Sequence, residues 1–338
     1  MKDAENILLT GGAGFIGSHT AIDLIQNGFN VFIYDDFSNS NKDVLDSIKR
    51  ITGIAPKLIE GDIRDYEKLS HFFSKTKIHS VIHFAGLKAV GDSVIKPLEY
   101  YDNNIVGTIS LLNAMRENGV NKIIFSSSAT VYGDPEYLPI DENHKTSSTN
   151  PYGRTKLFIE EILQDIVNSE TFFSAICLRY FNPIGAHNSG FIGESPKDRP
   201  NNIMPIINKV CFGLQKKLYI FGKDYDTHDG TGVRDYIHVV DIARGHRYAL
   251  ALLEKNPGWE AINLGTGKGF SVLDLINYYE KASGRKIPYE YIGRRQGDVA
   301  SCFAKVDKAK QLLKWEADFN INEMCLSSHK AYFNCLIK

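Results

Sequence analysis

"LLTGGAGFIGSH" (Leu8–His19) decides the fold. A β-branched run, "NILLT", leads into it, and an amphipathic helix is expected from about Phe15. Its glycines stand at positions 11, 12, 14 and 17. Gly11, Gly14 and Gly17 satisfy one dinucleotide spacing, and Gly12, Gly14 and Gly17 satisfy G-x-G-x-x-G. Both spacings meet the same need: no Cβ where a pyrophosphate lies against backbone N–H groups at a helix N-terminus. A plain glycine turn followed by a solvated strand-end acid would use the same letters. Context favours the nucleotide reading, because the next strand, "VFIYDD", carries Asp35 at the spacing expected of a ribose-binding acid. A carboxylate there accepts from ribose hydroxyls and repels a 2′-phosphate, which selects NAD over NADP.

The alternation continues through the first half of the 338-residue chain. "NVFIYDD", "KLIEGD", "SVIHFAG", "KIIFSSSATVYG" and "FFSAICLRYFNP" read as strands, with helices expected near Tyr66, from Asn103 and at Tyr152. This order predicts an α/β fold, a doubly wound parallel sheet covered on both faces by right-handed crossovers. Beyond Pro183 the pattern changes. "IGAHNSGFIGESPKDRPNNIMP" is rich in Gly, Pro, Asn and Ser and reads as a long ordered loop that opens a smaller α/β region. The expected division is 1–182 for nucleotide binding and 183–338 for substrate. Segments near 235–265, "VVDIARGHRYALALLEK" and "AINLGTG", are expected to return to the first layer.

Charge narrows the function. Lys plus Arg (39) nearly balances Asp plus Glu (40), so no global field favours nucleic acid or an anionic membrane. "MKDAENILLT" is too short and acidic in its apolar run for a signal peptide, and no apolar stretch approaches membrane-spanning length. A cytoplasmic enzyme is expected. Cys177, Cys211, Cys302, Cys325 and Cys335 form no CxxC pair and have no histidine at ligand spacing. They read as structural thiols, with no metal site expected. His83, inside "SVIHFAG", reads as a satisfied core histidine.

In "TNPYGRTKLFIEE" (Thr149–Glu161) a tyrosine stands four residues before a lysine. Asn150 is a good N-cap and Pro151 suits the first helical position, so a helix should begin at about Tyr152. Phe158, Ile159, Ile162, Leu163, Ile166 and Val167 then share one apolar arc, within which Tyr152 and Lys156 also project. Two readings stand: Lys156 snorkels along the arc and pairs with Glu160, or it is turned inward for chemistry. Spacing alone does not decide, since Tyr219 and Lys223 repeat it behind the strand-like "LYIFG".

Taken with Gly11–Gly17, Asp35 and the "SSSATVYG" strand, the Tyr152/Lys156 pair makes the chain resemble the extended short-chain dehydrogenase/reductase family. The resemblance implies a Rossmann-type fold and a catalytic set of Ser128, Tyr152 and Lys156. Lys156 would bond the nicotinamide ribose and lower the phenol pKa of Tyr152, making it a usable base near neutrality. "HFAGLKAVGDSV", "PLEYYDNN", "GTGVRDYIHV" and "RYFNPIGAH" resemble the UDP-glucose 4-epimerase branch of that family over nearly the whole chain.

That likeness implies an NAD site lined by Gly11, Gly14, Phe15, Ile16, Gly17, Asp35, Asp62, Ile63, Phe84, Lys88, Asn103, Ser128, Tyr152, Lys156 and Phe181. It implies a UDP-sugar held by Asn182, Asn202, Phe221, Arg234, Arg295 and Asp298 together with Ser128 and Tyr152. Arg234 and Arg295 would supply the forked cations that a diphosphate wants. Cys302 aligns beside the sugar's C2 substituent, where a small side chain leaves room for an acetamido group. The implied reaction is epimerisation at C4 through a transient 4-keto sugar. Homodimers would pair the helices near Asn103–Gly119 and Tyr152–Asn168. Dehydratases of the family carry carboxylates just after the strand serine or threonine, whereas this chain has Ala129 and Thr130.

Overall fold

The computed structural model describes residues 4–197, 202–295 and 297–337. Its centre is a seven-stranded parallel sheet. The strands are β1 (Asn6–Thr10), β2 (Asn30–Asp35), β3 (Lys57–Glu60), β4 (Ser80–His83), β5 (Lys122–Ser128), β6 (Ser174–Tyr180) and β7 (Trp259–Leu264). They lie in the order β3-β2-β1-β4-β5-β6-β7. The inner strands are near-continuous apolar runs because helices cover both faces; every residue of β4 and of β6 is buried.

Alternate residues serve alternate faces. Ile7, Leu9, Ile33, Ile82, Ile124 and Ile176 form one core with the helices Phe15–Gln26 and Val239–Leu253. Leu8, Phe32, Val81, Ile123, Phe125 and Cys177 form another with Tyr66–Lys75, Gly107–Glu117 and Pro151–Ser169. The chain winds outward from β1 to β3, then crosses to β4 on the other side of β1. That reversal opens a crevice at the carboxyl ends of β1 and β4, the usual ligand position in such sheets.

Val239–Leu253 packs on Phe15–Gln26, and β7 adds beyond β6 with Ala261 opposite Cys177. A separate core of Ile184, Met204, Ile207, Leu218, Tyr236, Tyr279 and Met324 holds the remaining elements. There Val233–Arg234 pairs with both Phe270–Ser271 and Ser301–Cys302, and Leu218–Phe221 pairs with Tyr289–Ile292. Residues 185–197 form neither helix nor strand. No helix among the described residues is long and apolar enough to cross a membrane.

Two expectations need correction. The helical run expected from Asn103 begins at Pro97 and passes through a π-turn, Asp102–Val106, before Gly107–Glu117. Proline at the first helical position explains the earlier start. Phe158, placed on the apolar arc, is 41% exposed and stacks on Tyr101. Tyr152, Lys156, Ile159 and Leu163 take the side facing the sheet, which leaves Phe158 at the edge of that face.

Candidate active site

The glycine turn divides its labour. Gly11 has φ +67°, and a Cβ there would lie 2.6 Å from the Ala85 nitrogen. Gly17 packs the helix onto the turn, since its Cβ would meet the Gly11 carbonyl at 2.6 Å. At Gly14 an added Cβ would touch only that carbonyl, at 3.3 Å, which leaves the outer side of the turn open. Gly14 is also the N-cap of Phe15–Gln26, with no capping side chain and no acid in the first turn. Free N–H groups at an open helix N-terminus fit the pyrophosphate of a dinucleotide.

Asp35 ends β2 beside this turn and is 8% exposed. It accepts from Ala13 N, Phe37 N and Ser40 Oγ, each at 2.9 Å. Burial pushes its carboxyl up, and those three bonds pull it back. The carboxylate therefore braces the glycine turn, a role its spacing did not reveal.

On the far side of β1, Phe84 and Ala85 donate from their backbone to the Thr10 carbonyl. Asn104 ties Leu87 to the catalytic helix, accepting from Leu87 N at 2.8 Å and donating to Thr155 Oγ1 at 2.9 Å. Its neighbour Asn103, the residue expected at the cofactor, is only partly buried and is left out of this tie. Ile63 is buried against Gly107, and Asp62 is held at 2.5 Å by Arg64, which lowers its carboxyl. His83 is a satisfied core histidine, hydrogen-bonded to Thr10 and Thr108.

Asn150 caps the helix Pro151–Ser169 by accepting from Gly153 N at 2.9 Å. This start points Tyr152 and Lys156 at β5. The Ser128 hydroxyl neighbours the Tyr152 phenol and pulls its pKa down, and it accepts from Thr130 N and Oγ1 at 3.2 and 3.0 Å. Lys156 is turned inward, 5% exposed, and donates to the Ser126 carbonyl at 2.6 Å. It does not pair with Glu160, which is taken by Arg179. Burial lowers the ammonium to about 8, against the pull of the Glu160 charge.

Burial holds the Tyr152 phenol above its usual value, opposed only by Ser128. The lysine's nitrogen stays 5.9 Å from the phenol's ring centroid, with its proton committed to Ser126. A low phenol pKa thus requires more positive charge than this chain alone supplies.

The residues expected to hold a UDP-sugar gather beyond β6. Phe181 is buried with Val131, Tyr132, Ile140 and Ala304, and Cys302 packs against this cluster beside Ala129 and Leu157. Asn182 follows, with its backbone bonded to Asp235. Arg234 and Arg295 converge on Asp298 at 4.0 and 2.8 Å, and the Arg295 guanidinium lies 5.5 Å from the Phe221 ring centroid. An open cavity of about 560 Å³ runs past Tyr225, Arg294, Asp298 and Ser301; Ser128, Tyr152 and Lys156 are not in its lining. Asn202 donates to Glu194 at 2.6 Å, and Lys88 reaches the same oxygen at 3.4 Å. Glu194 thus joins a residue expected at the cofactor to one expected at the sugar. Nothing local in "GESPKD" signals this.

Among the described residues, His228, Asp229 and Asp274 bring ligand-capable atoms within 4.8 Å of one another. Both carboxylates are engaged by Ser271, the N-cap of Val272–Ser283, so the cluster serves that cap.

A family model described as GDP-mannose 4,6 dehydratase matches residues 8–327. UDP-glucose 4-epimerase of Bacillus subtilis is 52% identical over 322 residues, covering 95% of this chain and 95% of that protein. The UDP-glucose 4-epimerase of Dictyostelium discoideum is 53% identical over 330 residues, covering 96% and 95%. The crystal structure of UDP-glucose 4-epimerase from Bifidobacterium longum, in complex with NAD+ and UDP, matches with a TM-score of 0.95 at 49% identity. It covers 97% of this chain and 98% of that one.

Proposed function

Because the chain belongs to the family of the GDP-mannose 4,6 dehydratase model, and within it to the UDP-glucose 4-epimerases, we propose that it interconverts UDP-galactose and UDP-glucose. The observation that carries this reading is inward Lys156, held on the Ser126 carbonyl beneath the Tyr152 ring with Ser128 beside the phenol, at the strand ends that flank an open glycine turn. The turn, Asp35 and Lys156 would hold NAD, in keeping with the relative that binds NAD+. When bound, NAD would take the C4 hydride, return it to the opposite face of the 4-keto sugar, and bring a positive ring charge while oxidised.

Tyr152 takes the proton from the sugar 4-hydroxyl, and Ser128 steadies the developing carbonyl oxygen. Lys156, an ammonium on the buried side, would stabilise the Tyr152 phenolate that accepts this proton. Arg234 and Arg295 would bind the diphosphate, and displacing Asp298 from them would be part of that binding. With the nucleotide held, the 4-keto sugar can turn about its linkage, present its other face and take the proton back from Tyr152. Ala129 and Thr130 offer no carboxylate for the elimination a dehydratase needs.

Small Cys302 supports acceptance of UDP-N-acetylglucosamine and UDP-N-acetylgalactosamine as well. The division at 182/183, with 235–265 returning to the first part, assigns nucleotide and substrate binding to separate stretches of chain. Exposed Ile95, Leu98, Val106, Ile109 and Phe158 support a homodimer through the helices at 97–117 and 151–169. The reading places the enzyme in the cytoplasm. Incubating purified protein with UDP-galactose and measuring UDP-glucose tests the central claim; no product, with NAD supplied, refutes it.

A further inference from the structure

Tyr152, Lys156 and Glu160 stand at successive turns of one helix and face three successive residues of β5. Tyr152 meets Ser128, Lys156 donates to the Ser126 carbonyl at 2.6 Å, and Glu160 accepts from Ser127 Oγ at 2.5 Å. Only the first of these contacts touches the reacting atoms. The other two are a clamp that sets helix against strand, and the Ser128–Tyr152 geometry depends on that register.

Glu160 is 2% exposed and Arg179 3%. Arg179, on β6, donates to Glu160 through Nε at 3.0 Å and through Nη2 at 2.6 Å. Its Nη1 donates to the Tyr132 hydroxyl at 3.0 Å, and Tyr132 donates to Asn263 on β7 at 2.7 Å. A buried ion pair of this kind is commonly no better for stability than two well-packed apolar side chains. This one sits among Ile159, Leu163, Phe125 and Cys177, where apolar residues would pack readily. Its placement one turn beyond Lys156 therefore calls for a reason other than stability.

We propose that Glu160 is a positioning residue for the reaction: its buried carboxylate fixes the strand of Ser128 against the helix of Tyr152 and keeps the Lys156 ammonium charged. The surroundings of Lys156 leave no other anion for that task. On its own helix it faces the Tyr152 phenol and Glu160, and on β5 the Phe125 ring and the Ser126 carbonyl. On β4 His83 is neutral, held near 3 by burial and by the lysine's own charge. On β6 the Tyr180 phenol is pushed far above its usual range, and Arg179 is a cation. Glu160, though ion-paired with Arg179, is thus the carboxylate whose charge acts on the lysine among the described residues.

The inference rests on the epimerase reading, so wild-type conversion of UDP-galactose is measured first; its absence would fail that reading and not this one. Ser127→Ala leaves both charges in place and removes one clamp point. It should lower kcat about tenfold, as small misplacements of reacting groups do, with KM and melting temperature little changed. Glu160→Gln with Arg179→Met removes the charge while keeping an acceptor for Ser127 and balancing the core. This double variant should fold and should lose NAD, followed as cofactor released through a filter, at a pH about one unit lower than wild type. Its alkaline limb of kcat should move by the same amount. Wild-type turnover in Ser127→Ala overturns the clamp. A folded double variant with unchanged limb and unchanged NAD retention overturns the charge role. Should the double variant fail to fold, Ser127→Ala decides the proposal alone.

Discussion

Cys302 lies opposite Arg234 in the parallel pairing of Ser301–Cys302 with Val233–Arg234. Its side chain packs against the cluster of Val131, Tyr132, Ile140, Phe181 and Ala304. A phenol at 302 would fill space beside the sugar. Cys302→Tyr should therefore retain UDP-galactose turnover and lose most turnover of the N-acetylated pair. The check is a comparison of both pairs on both proteins. Undiminished N-acetylated turnover in the variant, or none in the wild type, would remove Cys302 as the gate.

Tyr152→Phe deletes one oxygen from a half-buried ring and leaves the helix and its cap intact. Turnover should fall by about 10²–10⁴ while NAD remains bound. Steady-state kinetics and NAD content of the purified variant decide it. A loss smaller than about tenfold would reassign the base.

Lys156 acts as its ammonium form, and burial lowers it to about 8. Turnover should accordingly decline as pH rises through that region, because the neutral amine then predominates. Lys156→Ala should lose activity and also retain less NAD. Full NAD occupancy in that variant would contradict the lysine's place on the ribose.

The carboxylate of Asp35 makes a poor neighbour for a 2′-phosphate, and Ala13, Phe37 and Ser40 hold it in place. Protein denatured after purification should release NAD in both redox forms and no NADP, as read by enzymatic cycling assays. Recovery of mainly NADP would show that another residue reads the ribose.

Burial holds His19 near 4 and His83, His238 and His246 near 3, so they are neutral in the fold. Unfolded histidines titrate near 6.5, so below that pH the unfolded chain binds more protons. The stability these groups contribute is complete above about 6.5 and is lost as pH falls towards their folded values. Each costs about 1.4 kcal/mol per pH unit in that window. Thermal melts should drop steeply between pH 6.5 and 4, and a flat profile there would contradict the neutral assignment.

The parallel order was legible because each strand is an apolar run punctuated by a helix, and the glycine turn marks which strand comes first. Asn150 and Pro151 likewise announced the start of the helix that carries Tyr152. What was hidden depends on partners far along the chain. Glu160 looked like the natural mate of Lys156 one turn away, yet Arg179 arrives from β6 and takes it. Periodicity gives a helix a face without naming what covers each end of it, so Phe158 was placed inside and lies exposed. Glu194 reaches Lys88 and Asn202 from an irregular segment, where no period exists to read.

The chain closes its sheet late. β6 is buried along its whole length only because β7 arrives from residues 259–264, after the intervening stretch has been threaded. During synthesis, or in a fragment ending near residue 182, β6 would present a bare row of N–H and C=O groups flanked by apolar side chains. Such an edge templates pairing between molecules. The stretch 1–182, cut out by itself, should therefore aggregate until β7 is supplied.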